Sequence, residues 1–202
     1  MRTVVLAVGV VAVLAGLADV TARAARAVLG EDALRDALAP AAAEGRTLTT
    51  TSLPATEVPA RLRVAALGID ARVERVGLKS GAMSAPKNFD NVGWYEKGSM
   101  PGGAGNAVFA GHVNNARTQS GVFENLSKIK LGDYVTVEGE DGKTLVYRVK
   151  EIAQYPWDQA PAPAIFATEG PSQLVLITCE GEWLHTERTF DKRLVVIARL
   201  AY

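Results

Sequence analysis

From Arg61 onward the chain reads as short β-type runs separated by turn residues, and this alternation limits the possible folds more than any other feature. Strands are expected near 61–66, 71–77, 106–111, 133–138, 143–154, 172–179 and 193–200, with a further strand around 82–94. Short helices are expected near 120–127 and 162–168, and the "DG" at 141–142 is a hairpin turn signal. Seven or eight short strands within about 140 residues predict a mainly β fold, a closed or nearly closed barrel with short flanking helices. The 19 glycines and nine prolines, concentrated after residue 50, suit strands and turns better than a helical bundle. No internal repeat is visible.

The first residues are of a different kind. Val4 to Ala18, "VVLAVGVVAVLAGLA", is apolar and uncharged, with Arg2 before it and Asp19 after it. It is short for a spanning helix, which takes about 20 residues, and at the upper end of the range for the apolar part of an export signal. An uncleaved N-terminal membrane helix is the preferred reading and a cleaved leader the alternative; both put the remainder outside the cytoplasmic membrane. Residues 21 to about 58 are rich in Ala, Thr and Glu and read as a stalk, with a short helix ended by Pro40. The expected organisation is therefore residues 1–22 as anchor or signal segment, 23–58 as extracytoplasmic linker and 59–202 as the folded domain.

Charge excludes one class of partner. The 22 basic and 22 acidic side chains cancel, and no Lys/Arg block is present of the kind that tracks phosphates, so no nucleic-acid partner is expected.

Chemistry can be sought in few places. Cys179, in "QLVLITCEGEW", is the only cysteine, so it cannot form an intramolecular disulfide; it is either a small buried hydrophobe or a reactive thiolate. A thiol becomes a working nucleophile when a neighbour takes its proton, usually a His. The two histidines are His112, where the apolar run of "NAVFAGHVNNA" turns polar, and His185, in the loop expected after Cys179. His112 and Cys179 share the setting where small β domains place working residues, a strand end opening into a loop. Acyl transfer also needs a donor or cation for the charge that develops on the carbonyl oxygen. Arg193 opens the last strand in "FDKRLVVIARL" and would reach the thiol if that strand ran antiparallel beside the Cys strand; Arg188 competes for the role. Singly, each has an ordinary explanation as a core thiol, a surface imidazole or a solvated cation. Their matching settings favour one site.

At these residues the sequence resembles the sortases, cysteine transpeptidases of the bacterial envelope. "AGHV" with His112, "LITCEG" with Cys179 and "DKRLVVIA" with Arg193 carry the resemblance, which spans about residues 58–202 and includes "RLRVAALGIDARVERVGL", "VGWYEKGSMPGGAGNAVFAGHV" and "FENLSKIKLGDYVTV". Within the family, the short chain and "LITC" followed by Gly181 look most like the class F enzymes of high-GC Gram-positive bacteria.

The resemblance implies an eight-stranded sortase-type closed barrel. It implies that Cys179 attacks the Thr–Gly carbonyl of an LPxTG-type sorting signal to form a thioacyl-enzyme, which is passed to an amine of the cell wall or of a pilin. His112 would protonate the leaving amine and deprotonate the incoming one, and Arg193 would hold substrate and oxyanion. Thr178 matches the family's TLxTC-like signature and would help shape the oxyanion hole, although Val175 stands where the signature's leading Thr is expected. No acid is apparent to orient His112; Asn114 and Asn115 offer only neutral hydrogen bonds.

The loop 155–171, "YPWDQAPAPAIFATEGP", precedes the Cys strand where sortases build part of the substrate groove. Ile165 and Phe166 suit an apolar Leu-Pro pocket, with ordinary helix packing as the competing reading. Trp183, like His185, would border the entry of the second substrate, although a solvated loop histidine is the preferred reading of His185. Some sortases bind calcium through loop carboxylates; Asp158 and Glu169 are the only acids in this loop, far short of the roughly six to eight oxygen ligands the ion takes. No metal and no other cofactor is expected. Expected partners are LPxTG-type surface proteins or pilins, the acceptor amine and, through the N-terminal helix, the membrane.

Residues 53–57 read "LPATE", close to a sorting signal within the chain itself. Linker composition alone accounts for it; a pseudo-substrate occupying its own groove is the competing reading. Two other identities compete with a sortase. The Ser-x-Gly-Cys-type signature of L,D-transpeptidases is absent around Cys179, which leaves an exported β-barrel binding module with a merely buried Cys as the alternative.

Overall fold

The computed structural model of the protein describes residues 58–79, 81–114 and 120–201. The expected anchor, nearly all of the linker with its "LPATE" stretch, and Asn115 lie outside the described residues.

Eight strands close a barrel. In chain order they are β1 (Pro59–Val64), β2 (Ile69–Val76), β5 (Val92–Tyr95), β6 (Asn106–Ala110), β7 (Tyr134–Gly139), β8 (Thr144–Pro156), β9 (Gln173–Leu184) and β10 (Thr189–Leu200). Around the barrel the order is β1-β2-β5-β6-β9-β10-β8-β7, and β1 pairs with β7 to close it. The tiny hairpin β3 (Leu78–Lys79) and β4 (Ala82–Met83) stands apart. A mainly β, closed eight-stranded barrel is thus what the chain forms.

Period-2 alternation sorts the side chains into two sets. Leu62 and Val64, Val135 and Val137, Leu174 and Leu176, and Leu194 and Val196 point inward and form one continuous core with Trp94, Phe109 and Tyr147. Tyr147 is fully buried, and its hydroxyl oxygen accepts the Gly102 N–H at 2.8 Å, which satisfies a polar tip that would otherwise be costly. The intervening residues Val108, Val175 and Val195 form a second cluster on the outer face, covered by Ile165 of the short helix α1 (Ala162–Ile165). On the far wall the outer face is polar instead: Arg63 pairs with Glu138 at 2.8 Å and with Asp70 at 3.2 Å.

Two pairings are parallel, β2 with β5 and β6 with β9; the rest of the barrel is antiparallel. A parallel pair needs a long crossover, and the one from β6 to β9 contains β7, β8 and α1. The "DG" turn joins β7 to β8 as expected, with Gly142 at φ 75°.

Several boundaries differ from the sequence reading. The strand expected around 82–94 is two short pieces, β4 and β5, because the residues between them make turns and side-chain bonds rather than a ladder. The helix expected near 120–127 shrinks to a 3-10 turn at Leu126–Lys128, and that near 162–168 ends at Ile165. The largest difference concerns Cys179. It does not end its strand: β9 continues to Leu184 and pairs with the early part of β10. The polar, glycine-containing run 180–182 suggests a loop, but a bulge lets the ladder proceed. The register slips there, Gly181 supplies φ 88°, and the Asp191 carboxylate accepts the Glu182 N–H at 2.7 Å.

Candidate active site

The parallel register of β6 and β9 brings two of the candidates to one level. Every pair from Asn106↔Gln173 to Ala110↔Ile177 has the same offset of 67 residues, and the Gly111 N–H continues the ladder to the Ile177 carbonyl at 3.1 Å. Carried two residues further, that offset sets His112 beside Cys179. Both strands run the same way, so both residues stand at the same end of the barrel. Both also share parity with the outer-facing Val108 and Val175, which turns them away from the core.

The next strand supplies the cation. Arg193 on β10 is the direct ladder partner of Cys179. Across an antiparallel pair, opposed residues share a face, so the order β6-β9-β10 lays out His112, Cys179 and Arg193 side by side. The competing Arg188 sits instead in the turn between β9 and β10, with φ 56°. The Arg193 guanidinium donates to the carbonyls of Lys192 at 2.9 Å and Phe190 at 3.1 Å and to the Thr189 hydroxyl at 2.8 Å. Those three bonds leave two of its five N–H donors for a ligand.

Cys179 is partly covered by its surroundings. Burial pushes its thiol above the usual range, and the nearby Arg193 charge pulls the other way without cancelling the effect. That direction favours the neutral thiol, from which attack would need a base to take the proton.

His112 is held by groups that the sequence reading missed. Its Nε2 lies 2.9 Å from the Pro86 carbonyl oxygen, an acceptor only, so in the neutral ring Nε2 carries the proton and Nδ1 is the basic nitrogen. The Phe89 ring stacks on the imidazole, with centroids 4.0 Å apart and planes 16° from parallel. The His112 backbone is clamped as well: its carbonyl accepts the Phe123 N–H at 2.9 Å, and Gly121 packs so close that a Cβ there would collide with that carbonyl. No local signal links "APKNF" to a histidine more than twenty residues away; the contacts exist only once β5 and β6 pair.

Thr178 faces the interior and is 4% exposed, as alternation with Cys179 requires. Its hydroxyl donates to the Gly111 carbonyl at 2.8 Å. The hydroxyl proton is thus used in holding β9 against the His112 segment, while Thr178 still lines the cleft.

His112, Thr178, Cys179 and Arg193 border one open cleft of about 890 Å³, and Arg188 lines it as well. Ile165 and Phe166 line it: Ile165 is buried and anchors α1, and Phe166 is half-buried with its ring edge-on to Tyr95 at 5.4 Å. Trp183 lines it too, from a strand rather than the expected loop, paired with Phe190 both in the ladder and ring to ring at 5.3 Å. His185 lies in the exposed turn that follows. The exposed side chains of Leu78 and Trp157 complete an apolar rim. Among the described residues no group of three or more His, Cys, Asp or Glu side chains gathers as a metal site would.

The fold is shared with proteins of known structure. Sortase C1 of Streptococcus agalactiae, in its complex with MTSET, is similar with a TM-score of 0.54 at 23% identity, covering 70% of this chain and 66% of that one. Sortase A from Corynebacterium diphtheriae is similar at 0.54 and 20% identity, covering 73% and 62%. A Clostridium perfringens sortase D5 transpeptidase is similar at 0.54 and 20% identity, covering 72% and 79%. The chain spans just under two thirds of the first two of these proteins, and at such identities the likeness is one of fold. No curated protein matched in a sequence search. The model of the sortase domain matches residues 62–201, from within β1 to the end of the described chain, and this protein belongs to the sortase family.

Proposed function

We propose that this protein is an extracytoplasmic cysteine transpeptidase that cleaves an LPxTG-type sorting signal between Thr and Gly and transfers the acyl part to an amine of the cell wall or of a pilin. The observation that carries this reading is the common level of His112, Cys179 and Arg193 on three adjacent strands, at the edge of an apolar cleft. In the first step the Cys179 proton passes to His112 Nδ1 as Sγ bonds the carbonyl carbon, and the carbonyl π pair moves to oxygen. Arg193, the ladder partner of Cys179 and a wall of the same cleft, would supply its remaining donors to that oxyanion. Collapse breaks the C–N bond, and the leaving glycine amine takes the proton from His112. The incoming amine then gives a proton to His112, bonds the thioester carbon and expels Cys179 sulfur, which takes that proton back from His112 to restore the thiol. Phe166, Ile165 and Trp183 give the cleft an apolar lining suited to a Leu-Pro segment. The apolar stretch Val4–Ala18 supports a placement outside the cytoplasmic membrane, tethered by an N-terminal helix.

Mass spectrometry of residues 45–202 incubated with an LPxTG peptide, with and without an amine acceptor, tests the reading. Cleavage after Thr and an acceptor-linked product, both absent in Cys179→Ala and His112→Ala, are expected. No cleavage of any LPxTG or LAxTG peptide, together with a Cys179 that resists alkylation in the folded state, would instead favour an exported binding module with a structural Cys.

A further inference from the structure

Residues 84–91 join β4 to β5 without a ladder of their own, yet this segment supplies both the Pro86 carbonyl and the Phe89 ring to His112. Something else must hold it. Glu74, on β2 opposite Gly93 of β5, reaches under the segment with its carboxylate. Oε2 accepts the Lys87 N–H at 2.8 Å, and Oε1 accepts the Asn88 N–H at 3.1 Å and the Asn91 side-chain amide at 2.9 Å. Within the turn, the Asn88 side-chain oxygen accepts the Asp90 N–H at 3.0 Å, and the Phe89 carbonyl accepts the Val122 N–H at 2.8 Å.

We infer that Glu74 is a positioning residue for His112, acting through the 86–91 turn that it organises. This inference rests on the transpeptidase reading for its kinetic consequence but not for its structural one. Three bonds to one carboxylate fix the turn, the turn aims the Pro86 carbonyl at Nε2, and that bond keeps the neutral ring in the Nε2–H form with Nδ1 as the base. Phe89 prevents the ring from swinging out of plane. The backbone of His112 is held separately from Glu74's own bonds, by the Phe123 N–H and the close packing of Gly121, although Val122 between them also bonds the turn at Phe89; loss of Glu74 should therefore loosen the imidazole more than the strand end. The acid missing from the immediate neighbourhood of His112 is thus present one step back, 38 residues earlier in the chain.

Imidazole nitrogen NMR of the full-length protein with labelled histidine tests this, in a His185→Gln background that leaves His112 as the only signal. The expected result is a single Nε2–H tautomer with ring-proton shifts moved by Phe89, replaced in Glu74→Gln by a tautomer mixture without those shifts. Phe89→Leu should lose the ring-proton shifts alone. On an LPxTG peptide, Glu74→Gln should lower kcat by about tenfold to a hundredfold with KM little changed, the mark of misplacement rather than lost binding. An unchanged tautomer and ring shift in Glu74→Gln, or a rise in KM alone, would overturn the inference. Should Glu74→Gln fail to fold, Asn91→Ala removes one of the three bonds and must give a smaller loss of the same kind; an unaltered His112 signal there would also overturn it. A wild-type protein that cleaves no peptide would sink the transpeptidase reading, while the NMR comparison would still decide the role of Glu74.

Discussion

The hydroxyl of Thr178 donates a 2.8 Å hydrogen bond to the carbonyl of Gly111, so the residue before Cys179 is tied to the residue before His112. This buried bond crosses between two strands that are 67 residues apart in sequence and sets the spacing of the two side chains that follow them.

Thr178→Val keeps the shape and β-branching but leaves the Gly111 carbonyl without this donor. The expected cost is about 1–3 kcal/mol of stability, the usual penalty for orphaning a buried acceptor, read from urea unfolding. A stability loss within error of zero would mean that the bond contributes nothing to holding β9 against the His112 segment.

Cys179 should titrate above the ordinary thiol range, because burial outweighs the influence of Arg193. The alkylation rate with iodoacetamide, followed against pH, reads the midpoint directly. Arg193→Gln removes the opposing charge, so its midpoint should lie higher still and its rate at neutral pH should fall. The linkage has a definite sign: a folded value raised above the unfolded one adds stability that is present below the ordinary thiol range and is lost as pH rises through the folded value. Cys179→Ala should therefore flatten the alkaline side of the stability curve.

Glu74 shows the opposite linkage. Burial, the largest single influence, raises its carboxyl, but the Lys87 N–H, the Asn91 amide, the Asn88 N–H and the Lys87 charge together hold it below the ordinary range. Its contribution is present above the ordinary carboxylate range and is lost as pH falls through the folded value. The stability difference between wild type and Glu74→Gln should accordingly shrink on acidification, as followed by thermal unfolding. A difference that stayed constant with pH would show that the charge is not what the turn uses.

Gly181 holds φ 88° one residue after the Glu180 that follows Cys179, and a Cβ there would collide with the Asp191 carboxylate. Gly181→Ala should destabilise the protein by about 1–3 kcal/mol from backbone strain and crowding. Asp191→Ala in the same chain should recover the crowding part only, because the positive φ remains. Full recovery in the double variant would mean that the bulge imposes no strain on the backbone.

Ile165 and Phe166 should separate by role. Ile165→Ala removes a buried anchor of α1 and should cost about 2–5 kcal/mol. Phe166→Ala opens a half-buried cleft wall, so its main effect is expected in KM for the peptide. Equal effects of both on stability, with KM unchanged, would make Phe166 a packing residue only.

Much of this molecule was legible in one dimension. Alternating apolar residues announced the strands, "DG" announced the β7–β8 turn, and the scarcity of Cys and His narrowed the candidates to a few positions. Those signals are local, since strand periodicity, turn chemistry and residue identity are each carried within a few neighbouring residues. The polar run 180–182 misled for the same reason: a bulge held by Asp191 from the partner strand keeps the chain in the ladder, and its determinant lies elsewhere in sequence.

The sequence by itself determined that a barrel forms and which side chains in it have reactive chemistry. Only the tertiary structure decided which of them meet. The parallel β6–β9 register sets His112 level with Cys179, the antiparallel β10 puts Arg193 opposite Cys179 and Arg188 in the turn, and the turn on Glu74 hands His112 its carbonyl and its stacking ring. Each of these depends on pairing across long crossovers, where the free energy of closure and the fit of the buried core choose one register from many.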